Sequence, residues 1–138
     1  MDQKLELLKR TPLLADLNQH DLMEVGRLAD EVDAKAGKVL MREGEPGREF
    51  FVIIDGAVRI ERGDKLLRTM GPGEFFGDIA LVVERPRTAT ATLEKDSRLL
   101  VLGHRDFHSL MERFPSIRIS VLESIAVRLR DLQPDLAH

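Results

Sequence analysis

The spacing of apolar residues changes character twice along this chain. Near Leu5 to Arg10, and again from Asn18 to Ala29, apolar residues recur at helical intervals, as in Leu22, Val25 and Leu28. Thr11-Pro12 separates the two pieces, because a residue before proline is pushed out of the helical region. Asn18 is placed to cap the second piece. From Val32 to Leu102 the pattern shifts to short runs punctuated by glycine, at Gly37, Gly44, Gly47, Gly56, Gly63, Gly71, Gly73 and Gly77. Several runs alternate, including Val58-Arg59-Ile60-Glu61 and Thr88-Ala89-Thr90-Ala91-Thr92-Leu93, which predicts an antiparallel sandwich or barrel of short strands. Arg62-Gly63-Asp64 fits a tight hairpin turn. Helical spacing returns from His104 to Glu112, and Pro115-Ser116 opens a last helix reaching about Leu132, stopped by Pro134. The pattern predicts one α+β domain over 1–138, with strands over about 30–102 and C-terminal helices over about 104–133.

Composition narrows the possible chemistry. The 138 residues suit a single core, and 43% apolar with 33% charged residues is an ordinary globular mixture. There is no cysteine, which removes disulfides, thiolate catalysis and cysteine-based metal sites, and suits a reducing cytoplasm. The apolar runs are too short for a membrane-spanning helix, and the first residues lack the layout of a signal peptide. A net charge of −3 with mixed signs argues against a nucleic-acid surface, so neither nucleic acid nor membrane is expected as a partner.

The segment Phe76-Gly77-Asp78-Ile79-Ala80-Leu81, followed after a spacer by Arg85-Pro86-Arg87-Thr88-Ala89-Thr90, concentrates the candidate chemistry. Gly77 lets backbone approach a ligand closely. A helical turn opening at Asp78 offers N–H groups and the positive end of a dipole to an anion. Arg87 supplies a planar fork matched to phosphate oxygens. Phosphate would repel Asp78, which is better suited to accept a hydrogen bond from a sugar hydroxyl. The stretch reads as a pocket for a phosphate fused to a ribose.

These residues resemble the phosphate-binding cassette of the cyclic-nucleotide-binding domains, as in catabolite activator proteins and protein kinase A regulatory subunits. The match runs through Phe76, Gly77, Ile79, Ala80, Leu81, Arg87, Thr88, Ala89 and Thr90, with Asp78 standing where the family has glutamate. A second resembling stretch is Leu40-Met41-Arg42-Glu43-Gly44-Glu45-Pro46-Gly47, then Phe50 to Gly56. The resemblance implies an antiparallel β-roll of about eight strands, of the jelly-roll or double-stranded β-helix type. N-terminal helices, a short cassette helix and two C-terminal helices would flank it. It also implies cAMP as ligand, with cGMP the alternative. Arg87, Thr88 and the N–H groups at Ile79 and Ala80 would hold the cyclic phosphate, and Gly77 and Asp78 the ribose. Ile60 and Leu67, with Leu129, Leu132 or Gln133 as a lid, would meet the base. Aspartate is one C–C bond shorter than glutamate, about 1.5 Å. Losing the ribose bond would cost about 1.5–3 kcal/mol.

Other features favour simpler readings. His104 and His108 stand four apart on one helix face, but with no third ligand evident they read as solvated. The strand region holds no histidine, which argues against a metal-dependent barrel enzyme, and no catalytic residue, metal site or cofactor is expected. Leu122, Ile125, Leu129 and Leu132 form a two-heptad seam, expected to pack on the domain's own barrel or to meet a second copy. With six residues after Leu132, no output domain is expected beyond the last helix. The expectation is a stand-alone, non-catalytic cyclic-nucleotide sensor, cytoplasmic, acting in trans on an unidentified protein effector or through self-association of the last helix. An interaction scaffold with a degenerate nucleotide pocket is the alternative, motivated by Asp78 and the short last helix. A piece of a longer regulator or channel ranks below both.

Overall fold

The computed structural model describes the backbone of residues 3–77 and 85–132, and the side chains of residues 4–77 and 85–127. Helix α1 (Gln3–Lys9) ends before a 3-10 turn at Pro12–Leu14. The Thr11-Pro12 step breaks the helix as its sequence predicts, but the chain rewinds at once. Proline suits a first helical position, where its missing N–H is no loss, and Leu13 and Leu14 are then buried. Helix α2 (Gln19–Leu28) begins as predicted at Asn18, whose Oδ1 accepts from the Asp21 N–H at 2.8 Å. That bond satisfies one of the donors every helix start leaves open. Leu22 and Val25 bury the inner face.

Among the described residues eight strands follow: β1 (Asp30–Ala34), β2 (Val39–Met41), β3 (Glu49–Asp55), β4 (Val58–Arg62), β5 (Lys65–Met70), β6 (Phe75–Phe76), β7 (Thr90–Leu93) and β8 (Ser97–Gly103). They form two four-stranded antiparallel sheets, ordered β1-β8-β3-β6 and β2-β7-β4-β5. Helices α3 (His104–Arg113) and α4 (Pro115–Leu132) close the described chain. Eight strands in two facing sheets with flanking helices is the expected α+β roll. Among the described residues no helix is long and apolar enough to cross a membrane.

Two apolar clusters share β3 and β8 as a common wall. Phe50, Val52, Leu100 and Leu102 face the helices, packing with Leu22, Val25, Phe107, Leu110, Ile117 and Val121. Phe51, Ile53 and Leu99 face the other way, into the roll, with Val58, Ile60, Met70, Phe76, Ala89, Ala91 and Leu93. The strict two-residue alternation of a strand produces this division. Phe50 lies 4.7 Å from Phe107 and 5.5 Å from Phe75, ring centre to ring centre, so aromatic contacts pin the helices to the sheet.

Two expectations change. The face of α4 turned to the roll is Ile117, Val121 and Ile125, spaced four apart, whereas Leu122 of the predicted seam is 47% exposed. Only Ile125 of that seam packs inward among the described side chains; those of Leu129 and Leu132 lie outside them. The alternating run at Thr88–Leu93 becomes a strand only from Thr90; ahead of it the Arg87 backbone is bonded to the loop after β2 rather than to a strand.

Candidate phosphate and base pocket

Arg87 sits just before β7 and is 6% exposed. Its backbone is clamped by the β2–β3 loop: the Arg87 N–H donates to Glu45 O at 2.8 Å, and the Gly44 N–H donates to Arg87 O at 2.9 Å. Its guanidinium is held by the same stretch of chain and by the entry to the cassette. Nη2 donates to Glu49 O at 2.7 Å and Nη1 to Gly77 O at 2.8 Å. Backbone and side chain are therefore both oriented by residues 44–49. A buried guanidinium is costly to desolvate unless hydrogen-bonded, and favours an anion beside it.

Gly77 explains why the two chain segments come so close. Its φ is +91°, and a Cβ there would stand 2.8 Å from Glu49 O, 3.0 Å from Arg87 Nη1 and 3.4 Å from Phe51 Cδ2. Only glycine avoids both the strained backbone and the collision. The Phe51 and Phe76 rings stack at 4.9 Å immediately before it, fixing the exit of β6.

Ile60 and Leu67 converge on the roll interior with Phe76, just before Gly77, and Ala89, two residues after Arg87. Ile60 is held by pairing with Ala91 of β7. Leu67 is positioned differently. The β4–β5 register passes from Glu61↔Leu66 to Ile60↔Arg68, which leaves Leu67 as the extra residue of a bulge. A bulge shifts the inside–outside phase of a strand, so both Leu67 and Met70, three apart, turn toward the interior.

Thus Gly77, Arg87, Thr88, Ile60 and Leu67 gather at one end of the roll. Asp78, Ile79 and Ala80 lie outside the described residues, as do Gln133 and the side chains of Leu129 and Leu132. Sequence reasoning assigned no role to Glu49, whose contribution is a backbone carbonyl without a side-chain signature. The neighbouring Glu43-Gly44-Glu45 stretch was the available signal. A cavity of about 940 Å³ opens elsewhere, beside Thr11, Ile53, Gly73 and Ser97, and includes none of these site residues. Arginine, close-approach glycine and apolar wall meet at the cassette end, so the chemistry favours that end.

Charges elsewhere are surface features. Asp96 lies below the usual aspartate range because the Ala36 N–H donates to it at 2.9 Å, with Lys35 adding an attractive charge. Arg98 is raised by its hydrogen bond to Asp33, aided by the Asp33 and Glu31 charges. The His104 and His108 rings meet edge to face at 4.7 Å, and among the described residues no group of three or more His, Asp or Glu gathers to hold a metal.

Comparison with known proteins agrees with this geometry. Residues 31–114 match the family model described as the cyclic nucleotide-binding domain. A cyclic nucleotide-gated potassium channel of Mesorhizobium japonicum is 34% identical over 112 residues, covering 81% of this chain and 31% of the channel. A cyclic AMP receptor protein of Thermus thermophilus is 34% identical over 107 residues, covering 72% of this chain and 50% of that protein. The crystal structure of the Thermus thermophilus catabolite activator protein superposes with a TM-score of 0.80 at 28% identity, over 91% of this chain and 61% of that one. The chain thus spans at most half the length of these two sequence relatives. The matched segment contains the cradled arginine, the close-approach glycine and both sheets of the roll, and on that agreement of sequence and architecture the chain belongs to the cyclic nucleotide-binding domain family.

Proposed function

We propose that this chain is a non-catalytic receptor for a cyclic purine nucleotide, with cAMP ahead of cGMP. The observation that carries the reading is Arg87: a buried guanidinium whose backbone and side chain are both held in place, next to a glycine that positive φ and close approach both require. Thr88 and the cassette N–H groups at Ile79 and Ala80 complete the phosphate site, Gly77 and Asp78 address the ribose, and Ile60 and Leu67 form the apolar wall for the base. Leu129, Leu132 and Gln133 remain the proposed lid. The Thermus thermophilus relative's name, cyclic AMP receptor protein, supports cAMP.

The receptor would act on another protein or on a second copy. Ile119 and Leu122, 53% and 47% exposed, lie three residues apart on the side of α4 turned from the roll and offer apolar surface for such a contact. The absence of cysteine suits the cytoplasmic setting this role requires.

Titration calorimetry with cAMP and cGMP, on wild type and Arg87→Ala, tests the proposal. The expected result is micromolar or tighter binding, weakened at least about tenfold in the variant, since a bond to a charged group contributes about 1.5–3 kcal/mol. Arg87→Lys keeps the charge without the fork and should fall between. No heat from folded, ligand-free wild type would refute the receptor and favour the scaffold, for which Asp78 in the glutamate position is the motivating residue.

A further inference from the structure

The tip of the β4–β5 hairpin touches the loop that cradles Arg87. The Gly63 N–H donates to Glu43 Oε1 at 2.9 Å, and Arg62 Nε donates to Thr88 O at 3.2 Å. Glu43 is itself anchored, its N–H donating to Thr90 Oγ1 at 3.0 Å. Residue 43 is followed directly by Gly44 and Glu45, which clamp the Arg87 backbone.

This arrangement matters because the hairpin's two strands are held unequally. Strand β4 is paired on both sides, with β7 as well as β5. Among the described residues strand β5 is a sheet edge, paired with β4 alone, and its pairing is interrupted by the bulge at Leu67. A bulged edge strand is a weakly specified element. Fixing its turn at Gly63 limits the freedom of Leu67. Gly63 itself has φ +58° with nothing within 4 Å of a would-be Cβ, so this residue meets no packing neighbour on that side. The carboxylate bond from Glu43 and the Arg62 bond to Thr88 O hold the tip.

We propose that Glu43 is a positioning residue of the nucleotide site: it latches the base-side wall on β5 to the loop that orients the phosphate-side arginine. The proposal rests on the nucleotide-receptor reading above. The phosphate side does not need the latch, because Arg87 keeps its bonds to Gly44, Glu45, Glu49 and Gly77 when the Glu43 carboxylate is removed. The base side does. Loss of Glu43 should therefore weaken ligands that carry a base and spare those that lack one.

The test compares wild type, Glu43→Ala and Glu43→Gln, each titrated with cAMP and with ribose 3′,5′-cyclic phosphate, which has no base. For Glu43→Ala, cAMP affinity should fall about three- to tenfold, the scale of one ordinary hydrogen bond, since the contact is solvent-exposed and acts on the ligand only through β5. Affinity for the base-free compound should stay within about twofold, the experimental spread of such titrations. Glu43→Gln, whose amide oxygen can accept the same bond, should restore cAMP affinity. Without any ligand, hydrogen exchange at the Gly63 amide should speed up in Glu43→Ala and not in Glu43→Gln. An equal loss for both ligands, or no loss for cAMP, overturns the latch. So does Gly63 exchange that ignores the substitution. Wild-type protein that binds neither compound refutes the receptor itself, and the positioning role falls with it, whatever Gly63 does.

Discussion

Gly77→Ala is the substitution whose cost can be worked most directly from the geometry. Two effects combine at this position. The backbone stands at φ +91°, where an L-residue costs about 1–2 kcal/mol. The added methyl would also stand 2.8 Å from the Glu49 carbonyl oxygen, which is backbone and cannot rotate aside. Relieving such a clash in packed surroundings costs about a further 1–3 kcal/mol. Gly44→Ala supplies the control, for Gly44 has φ +85° but nothing within 4 Å of the same methyl. Gly44→Ala should lose about 1–2 kcal/mol and Gly77→Ala about 2–5 kcal/mol. Urea unfolding of the three proteins, with a common slope, reads the difference. The Gly77 variant should also bind cAMP more weakly, because the shift that relieves the clash moves the carbonyls holding Arg87. Equal losses in the two variants would show that the approach of Gly77 to Glu49 does not constrain the chain, and the argument for glycine at the cassette entrance would fail.

Removing the α2 cap with Asn18→Ala should cost about 1 kcal/mol by urea unfolding, because the Asp21 N–H loses its acceptor. On α4, Leu122→Asp should change monomer stability by no more than about 0.5 kcal/mol. Val121→Ala, at a site with 0% exposure, should be measurably destabilising, and the reverse order would restore the seam the leucine spacing suggests. Asp96 has a folded pKa below its ordinary value. Its stabilising effect is therefore complete above the unfolded pKa, about 4, and fades as pH falls through the lower folded value. The stability gap between wild type and Asp96→Asn should narrow on acidification from pH 7, as followed by urea titrations across that range; a gap that widens would contradict the assignment.

Much of the fold was written in local patterns. Asn18 marked its helix start, Gly63-Asp64 its hairpin, Pro115 the last helix, and glycine spacing the strand region. The cassette motif picked out Gly77 and Arg87, which the roll brings together. Three features escaped for identifiable reasons. Leu67 and Met70 cannot both face inward in a strand of period two, and the bulge that reconciles them depends on pairing with β4, which the β5 sequence alone does not encode. Heptad spacing on α4 reports that leucines share a stripe without saying which stripe meets the roll. Packing selects Ile117, Val121 and Ile125. The carbonyls of Glu49 and Gly77 hold Arg87 through groups that every residue carries, so no residue type announces them.

The shared wall of β3 and β8 has a mechanical consequence. The two clusters are separate sets of buried side chains, so a loosening of the helical layer as its own cooperative unit would leave the roll's set in place. A base placed against Ile60 and Leu67, as proposed above, would touch one compartment, whereas α3 and α4 rest on the other. The two meet through neighbours on one strand, such as Phe50 and Phe51, whose rings point to opposite sides of a single backbone. A rotation of β3 about its own axis would press on one compartment as it withdraws from the other, which would make the strand a rocker between the proposed nucleotide site and the helices.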